Sequence, residues 1–262
     1  MVIIIFFVAH WYLSLFSQTF FAHRYASHRA FRMSKFWEKF FYVFAYITQG
    51  SSYLSPRYYA IMHRMHHAYT DTERDPHSPK YFSNVFAMMW RTKQIYSDIS
   101  RSVYPVEKQF MKNLPDWPVF DKFADGKLSR LIWLVVYAGI WIAFATSPWQ
   151  YILLPITMTM GPFHGAVINW FAHKYGYVNF KQSNTSKNLM PVDIFMMGEG
   201  YHNDHHQRPS SPNFGARWFE IDPVYYVILL FNKLHIIRLT PQLHANPGVA
   251  PMIEAEVLSE AG

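Results

Sequence analysis

The feature that most constrains the fold is the clustering of apolar residues into blocks long enough to cross a lipid bilayer. Residues 1–22 contain no Asp, Glu, Lys or Arg, and about 20 apolar residues suffice for one crossing. Two further blocks, 131–147 and 149–172, meet at Ser147-Pro148, where the proline ends a helix and marks a hairpin tip. The pattern predicts an all-α, integral membrane protein with about three to four transmembrane helices.

Charge distribution predicts the orientation of these blocks. Five basic residues follow the first block closely, and such an excess is typical of cytoplasmic segments; they are Arg24, Arg29, Arg32, Lys35 and Lys39. We therefore expect a single membrane domain over residues 1–262, with catalytic parts at about 23–130 and 173–262 on the cytoplasmic side. The net charge of +7 suits an anionic membrane surface. Nucleic-acid binding is not predicted, because no basic run is interleaved with stacking aromatic residues.

Two other segments are amphipathic rather than membrane-spanning. Residues 36–62 are rich in aromatic side chains but contain charges and are broken by Gly50 and Pro56. We expect this segment to lie at the membrane interface or to pack on the catalytic part. Residues 222–237 have too many polar side chains for a crossing.

The second constraint is a set of three histidine clusters. Positions i, i+3 and i+4 of a helix share one face, so an HxxHH sequence can aim three imidazoles at one point. Two histidines five residues apart lie about 140° apart on an ideal α-helix, so HxxxxH serves one ion only if the helix ends between them. The clusters are His23 and His28 in HRYASH, His63, His66 and His67 in HRMHH, and His202, His205 and His206 in HNDHH.

The donor types indicate a metal centre with two ions. The chain has no cysteine, so any metal must be held by nitrogen or oxygen. Imidazole sites suit zinc, copper, nickel or iron, and a structural zinc site closes with four ligands. Eight or more histidines therefore predict a di-metal redox or hydrolytic centre with open positions. Asn169 and His173, four apart at the end of the last apolar block, are candidates to join it.

In four segments the chain resembles the membrane-bound fatty-acid desaturases, specifically the stearoyl-type acyl desaturases. These are HRYASHRAF (23–31), HRMHHAYTDTERDPHSP (63–79), NWFAHKYG (169–176) and GEGYHNDHH (198–206). Related sterol hydroxylases usually space the first histidine cluster as HxxxH, and alkane hydroxylases usually have HxxxHH as the second. The spacings here are HxxxxH, HxxHH and HxxHH, which favours desaturation. The resemblance implies a cytoplasmic helical cap with a non-haem di-iron centre. Its implied ligands are His23, His28, His63, His66, His67, His173, His202, His205 and His206, with Asn169 acting through water.

The resemblance also implies a reaction. This is the O2-dependent desaturation of a saturated long-chain acyl group to a cis-monounsaturated product, at the Δ9 position. Acyl-CoA is the first choice of substrate, and phospholipid-linked or carrier-protein acyl chains stay open. The chain has no Rossmann fingerprint, haem motif or cysteine cluster, so we expect a separate electron donor, cytochrome b5-like or ferredoxin-like. Zinc binds nitrogen ligands more tightly than iron(II) and is an expected artefactual occupant.

Substrate contacts and supporting residues are further expectations. In the acyl-CoA enzymes, basic residues near the second histidine cluster bind the phosphates of coenzyme A. Ile61 occupies a position where such a basic residue is expected. Arg91 and Lys93 in MMWRTK are the candidates to bind the phosphates instead. One apolar span precedes His23, where the family commonly has a transmembrane hairpin. His77 and His164 match no ligand position. Candidates to orient imidazoles through their far N–H groups are Asp71, Glu73, Arg74, Asp75 and Asp204.

Two other functions compete with desaturation. A di-iron membrane hydroxylase of a lipid or carotenoid would use a similar centre, and its product would be hydroxylated instead of unsaturated. A histidine-rich metal transporter would carry its ligands within the spans. Here only Asn169 and His173 touch a strong span, which favours an enzyme.

Overall fold

The computed structural model describes residues 1–240, and these residues are mostly helical, as the sequence predicts. The α-helices are α1 (Val2–Ser17), α2 (Lys35–Gln49), α3 (Pro56–Tyr69), α4 (Val85–Ser100), α5 (Pro118–Ala124), α6 (Lys127–Phe144), α7 (Leu153–Met158), α8 (Met160–Ala166), α9 (His202–Gln207) and α10 (Pro223–Lys233). Two π-helical segments, Gln18–Ser27 and Val167–Phe171, continue α1 and α8. Single 3-10 turns occur at Gly50–Ser52, Pro79–Tyr81, Lys108–Met111 and Pro148–Ile152.

A small antiparallel sheet departs from the all-α prediction. Strand β1 (Phe31–Met33) pairs with β2 (Ile237–Leu239), with Phe31 opposite Leu239. Each strand has three residues, too few for an alternating pattern to stand out in the sequence. The sheet brings the end of the described chain back beside the first histidine cluster.

Two helices are long and apolar enough to cross a membrane, and a third candidate is bent. The first two are Val2–Ser27 and α6, at the positions of two predicted blocks. The third block is not the single straight span that the sequence predicts, because Pro148–Met158 and Met160–Phe171 meet at 74°. Pro162 explains the break, since it has no N–H for the carbonyl of Met158 in a continuous helix. The hydroxyl of Ser51 donates to that carbonyl instead, at 2.7 Å.

The segment predicted to be interfacial forms α2 and α3, separated at the expected Gly50 and Pro56. Gly50 has φ +55°, and a Cβ there would lie 1.7 Å from the hydroxyl oxygen of Tyr137. The turn at Gly50 therefore has room for glycine alone. One face of α2 packs on α1, and the other exposes large apolar side chains at helical spacing, as an interfacial helix does. These are Phe36, Phe40, Val43 and Ile47.

Helix α10 is fixed to the π-helical segment that carries the first histidine cluster. Phe20 of that segment packs in one apolar cluster with Phe41 of α2 and Ile228 of α10. The carboxylate of Asp222 caps α10 by accepting from the backbone N–H of Val224, at 3.1 Å. It also pairs with the fully buried guanidinium of Arg24, at 2.6 Å between Nη2 and Oδ2. One carboxylate therefore joins the two segments.

Arg64 fixes α3 against the other end of the same π-helical segment. Its Nε donates to the carbonyl of Ser27 at 2.8 Å, and its Nη2 donates to that of Ala26 at 2.9 Å. Nη1 donates to the carbonyls of Phe110 and Lys112. Because Arg64 follows His63 directly, these bonds hold the second histidine cluster against the first.

Candidate metal centre

The nine histidines that the resemblance implies as ligands converge in two groups. In each group the imidazole nitrogens that face one another lie within 4.8 Å. The histidines come from the first π-helical segment and its end, from α3, from the turn after the second π-helical segment, and from α9. The first histidine group is His23, His28, His63, His67 and His205, and the second histidine group is His66, His173, His202 and His206.

Each HxxHH cluster is divided between the groups and does not aim at one point. His63 and His67, at i and i+4, belong to the first histidine group, whereas His66 belongs to the second. In α9 the order is reversed, since the i and i+4 residues enter the second group and His205 enters the first. The i+3 side chain is rotated about 100° from the i+4 side chain, so the two side chains can point to two centres on either side of the helix face.

The π-helical segment resolves the angular problem of His23 and His28. In a π-helix the backbone bonds from residue i+5 to residue i, and the N–H of His28 donates to the carbonyl of His23 at 3.2 Å. Residues five apart then lie nearly one above the other, and the two ring centroids are 5.0 Å apart. Both histidines can therefore serve the same ion from one helix end.

Close approaches of Nε2 atoms join the elements within each group. In the first histidine group, Nε2 of His63 lies 2.8 Å from that of His28 and 3.0 Å from that of His67. In the second, Nε2 of His202 lies 3.0 Å from that of His173 and 3.0 Å from that of His206. Neighbouring imidazoles therefore present nitrogen atoms to a common point.

Burial keeps eight of the nine imidazoles neutral. It holds the pKa of seven of them well below the ordinary value of histidine, and the charge that neighbouring imidazoles would carry lowers those pKa values further. The seven are His28, His63, His66, His67, His202, His205 and His206. Burial also lowers the pKa of His173. Each neutral ring has one nitrogen lone pair available to a metal.

Two carboxylates determine which nitrogen carries the proton. Nδ1 of His23 lies 2.8 Å from Oε2 of Glu199, and Nδ1 of His66 lies 2.9 Å from Oδ1 of Asp75. A carboxylate only accepts, so each Nδ1 must donate, and in a neutral ring the lone pair is then on Nε2.

Those lone pairs point at other imidazole nitrogens. Nε2 of His23 lies 3.0 Å from that of His205, and Nε2 of His66 lies 3.3 Å from that of His206. Where both nitrogens present lone pairs, they repel unless a cation lies between them. Nitrogen donors of this kind suit iron, zinc, copper and nickel, so the residues fit an iron centre.

Glu199 is the supporting residue that the sequence reasoning missed. It accepts from the hydroxyl of Thr19 as well as from His23. Burial by itself raises the pKa of Glu199, but His23 and Arg24 together hold it below its ordinary value, so the side chain is an anion. The only signal in the sequence is a carboxylate three residues before His202.

The predicted supporting residues have mixed outcomes. Asp75 contacts His66 as predicted, and an oxygen of Asp71 lies 4.0 Å from Nδ1 of His173. Glu73 is exposed, Arg74 pairs with Glu107 on the surface, and Asp204 accepts from Asn179 at 3.0 Å. These last three do not orient an imidazole.

Two histidines that were left out of the ligand set are nevertheless buried. The ring of His77 lies 4.2 Å from that of His66, centroid to centroid, and His77 forms a smaller cluster with His66 and Asp75. His164 lies in α8 beside Trp11, with ring centroids 4.5 Å apart. Neither His77 nor His164 has a hydrogen-bond partner for either nitrogen within residues 1–240.

A cavity of about 1330 Å³ reaches the histidine groups. His23, His63, His202 and Asn169 contribute to its wall near the groups. Asn169 is outside both groups but faces the same space, as a residue acting through water would. Elsewhere the wall is mostly apolar and is formed by α1, α3, α4, α6, α7 and α8; it includes Leu15, Met62, Phe86, Met89, Trp90, Leu134, Pro155, Met158, Ile168 and Met196.

The two predicted substrate contacts differ in position. Lys93 lines the cavity, and its ammonium group lies 4.7 Å from the centroid of the Trp90 ring. Arg91 is exposed and is not part of the cavity wall. Arg101 and Lys127 also border the cavity. Several cationic side chains therefore border the cavity, but Arg91 is not one of them.

Comparison with known proteins gives concordant matches over most of the chain. The family model for fatty acid desaturases matches residues 1–235. The chain is 31% identical over 236 residues to the Delta-9 desaturase-like 4 protein of Arabidopsis thaliana, covering 86% of this chain and 71% of that protein. It is 30% identical over 232 residues to the sn-1 stearoyl-lipid 9-desaturase of Synechocystis sp., covering 84% and 66%. It is 29% identical over 239 residues to an acyl-CoA 5-desaturase of Anemone leveillei, covering 88% and 70%.

Proposed function

The chain belongs to the fatty acid desaturase family, and from this premise we propose that it desaturates a long-chain acyl group at a centre of two iron ions. The observation that carries the proposal is the division of nine buried or half-buried histidines into two groups beside one mostly apolar cavity. Five nitrogens in one group and four in the other are enough to hold two ions and leave positions open.

The two histidine groups would each hold one iron ion, with Asn169 supporting one of them through water. When bound, iron supplies the activation of O2 that removal of hydrogen from an unactivated C–H bond requires. Glu199 and Asp75 would hold His23 and His66 in the tautomer that presents Nε2. In the balanced reaction, one CH2–CH2 unit, one O2, two electrons and two protons give one cis CH=CH unit and two water molecules.

The apolar cavity would hold the acyl chain and fix which carbons react. An unactivated chain offers many equivalent C–H bonds, so position is selected by holding one pair of carbons at the centre. A wall of methionine, leucine and aromatic side chains binds hydrocarbon without directional contacts. The Arabidopsis and Synechocystis relatives are named Delta-9 desaturase-like and 9-desaturase, which favours desaturation at Δ9 here.

The carrier of the acyl group would bear phosphate. Lys93, Arg101 and Lys127 border the cavity, and cationic side chains at its end suit an anionic head group. Coenzyme A and phospholipid share that chemistry, and the relatives include a stearoyl-lipid and an acyl-CoA desaturase. Acyl-CoA is our first choice, because a soluble head group would bind at the water-facing end of the cavity.

The protein would span the membrane with the histidine groups on the cytoplasmic side. The helices that can cross a membrane and the basic residues after the first span support this orientation. A separate donor would supply electrons. Exposed Arg208 and Arg217, close in sequence to α9, suit an acidic partner such as a cytochrome b5-like or ferredoxin-like protein.

The test is expression of the full chain in a host that lacks monounsaturated fatty acids. Mass spectrometry that locates double bonds should find cis-Δ9 monoenes when O2 is supplied and none without it. A His205→Ala variant that still inserts into the membrane is the matched control. A hydroxylated lipid, or a lack of any unsaturated product, would contradict the proposal. Labelled stearate then distinguishes the carriers, because the first unsaturated label appears in either the acyl-CoA or the phospholipid fraction.

A further inference from the structure

His164 is a buried polar residue in the wall of the cavity. It is 1% exposed, and neither ring nitrogen has a hydrogen-bond partner within residues 1–240. Its ring borders the cavity and stands nearly perpendicular to that of Trp11, at 86°. The side chains around it include Trp11, Leu15 and Met160, which form one apolar cluster.

Along α8 and the π-helical segment that follows it, His164 lies on the far side of Asn169 from His173. Leu15 also borders the cavity and precedes His23 by eight residues along one continuous helix, a distance of roughly 12 Å at helical rise. On the opposite wall, His164 precedes Asn169 by five residues. An acyl chain whose reacting carbons lie at the histidine groups would therefore extend its far end towards His164.

An imidazole without a protein partner needs water or another polar group. Buried polar groups in native proteins are almost always hydrogen-bonded, and ordered water serves where protein atoms do not. Hydrocarbon that covers His164 would displace such water and leave a donor and an acceptor unpaired. Leaving such a group unpaired weakens binding by about 5- to 150-fold, whereas each buried methylene strengthens binding about fourfold.

We propose that His164 determines specificity for chain length, by making its part of the cavity unfavourable for hydrocarbon. Acyl chains that end before His164 keep its water in place, and longer chains displace that water. The imidazole would thus limit chain length through its polarity, in addition to any limit set by the shape of the wall. This inference rests on the proposed function, since it takes the cavity to be the acyl site.

The first experiment compares two variants in a competition among saturated C14, C16, C18 and C20 acyl-CoA substrates. His164→Leu removes the polarity and nearly keeps the volume, so it should raise the product ratio of longer to shorter chains by about fivefold or more. His164→Gln keeps a hydrogen-bonding side chain and should retain the wild-type ratio. Iron content equal to wild type in both variants shows that the fold is intact; His164→Met replaces His164→Leu if it is not.

An unchanged ratio in His164→Leu would overturn the inference. An equal shift in both variants would overturn it as well, because volume and not polarity would then be responsible. The second experiment needs no variant. Binding of the same saturated series to the wild-type protein should strengthen with each added methylene and then stop strengthening at one chain length. Continuous strengthening up to C20 would also count against the role of His164.

The two proposals fail separately. A wild-type protein that binds the series with this break but forms no unsaturated product would contradict the proposed function and leave the chain-length role supported. A wild-type protein that desaturates every chain, with identical preferences in the His164→Leu variant, would contradict only the role of His164.

Discussion

Nε2 of His67 lies 2.9 Å from Nε2 of His205, although the two residues are 138 positions apart in the chain. One position earlier, His66 turns the other way and meets His206 at 3.3 Å between Nε2 atoms. Helices α3 and α9 therefore each contribute to both histidine groups. The two groups share these two helices. The first group also takes His23 and His28 from the first π-helical segment and its end, and the second group also takes His173.

This division predicts different losses of metal from single ligand variants. His205→Ala removes a nitrogen from the first histidine group and His66→Ala removes one from the second. Each variant should lose bound iron mainly from its own group and should form no detectable unsaturated product. Elemental analysis of the purified proteins checks the metal, with the exposed His235→Ala as control. Wild-type activity in either ligand variant would contradict the assignment.

The carboxylates behind the ligands predict a second pair of effects. Glu199→Gln keeps the size of the side chain but weakens the hold on Nδ1 of His23. Asp75→Asn does the same to His66. Partners of this kind typically contribute about 10- to 100-fold in metal affinity or activity. Timed removal of iron by a chelator should be faster in both variants, from the first histidine group in Glu199→Gln and from the second in Asp75→Asn. Equal rates in wild type and variants would show that the carboxylates do not position the rings.

The Arg24–Asp222 pair predicts a large effect on stability. Both side chains are fully buried, and removing one member of a buried pair typically costs about 3–5 kcal/mol. Asp222→Ala should therefore lower the midpoint of thermal unfolding in detergent strongly, and it also removes the cap of α10. Lys35→Ala is the control, because Lys35 is 79% exposed in its pair with Glu38 and such pairs contribute about 0–1 kcal/mol. Similar midpoints for the two variants would refute the role given to Asp222.

The positions of Arg91 and Lys93 predict opposite outcomes for two similar substitutions. Lys93→Ala removes a cation from the cavity wall and should raise KM for a phosphate-bearing acyl substrate by about tenfold, the value of one hydrogen bond to a charged group. Arg91→Ala removes a cation that lies outside the wall and should leave KM nearly unchanged. Steady-state kinetics at two salt concentrations checks both. A larger effect from Arg91→Ala would show that the head group lies elsewhere.

The nine histidines were predictable because their number, spacing and position at the ends of apolar blocks all indicate one centre. Their division into two groups was not, since helical spacing says that His63, His66 and His67 share a face but does not say that two ions lie before it. Glu199 was missed because its contact with His23 joins residues 176 positions apart. Such a contact depends on tertiary packing, which a single sequence does not encode in any local pattern.

The irregularities of the backbone could not be predicted from the sequence either. The break between α7 and α8 depends on Pro162, and the hydroxyls of Ser51 and Ser52 satisfy the carbonyl of Met158 that the break leaves free. Helices long and apolar enough to cross a membrane lie at two of the predicted positions, because hydropathy depends on composition alone. The bent geometry of the third depends on a partner from another helix.

The π-helical turn that ends at His28 has a consequence for how such chains can diverge. A single inserted residue normally rotates everything after it by about 100° on an α-helix. Here the wider turn absorbs one extra residue between His23 and His28 and returns both rings to the same side. An α-helical HxxxH and a π-helical HxxxxH therefore present equivalent pairs of imidazoles. The spacing of this first cluster therefore depends on the type of helix that carries it as well as on the metal that its histidines would bind.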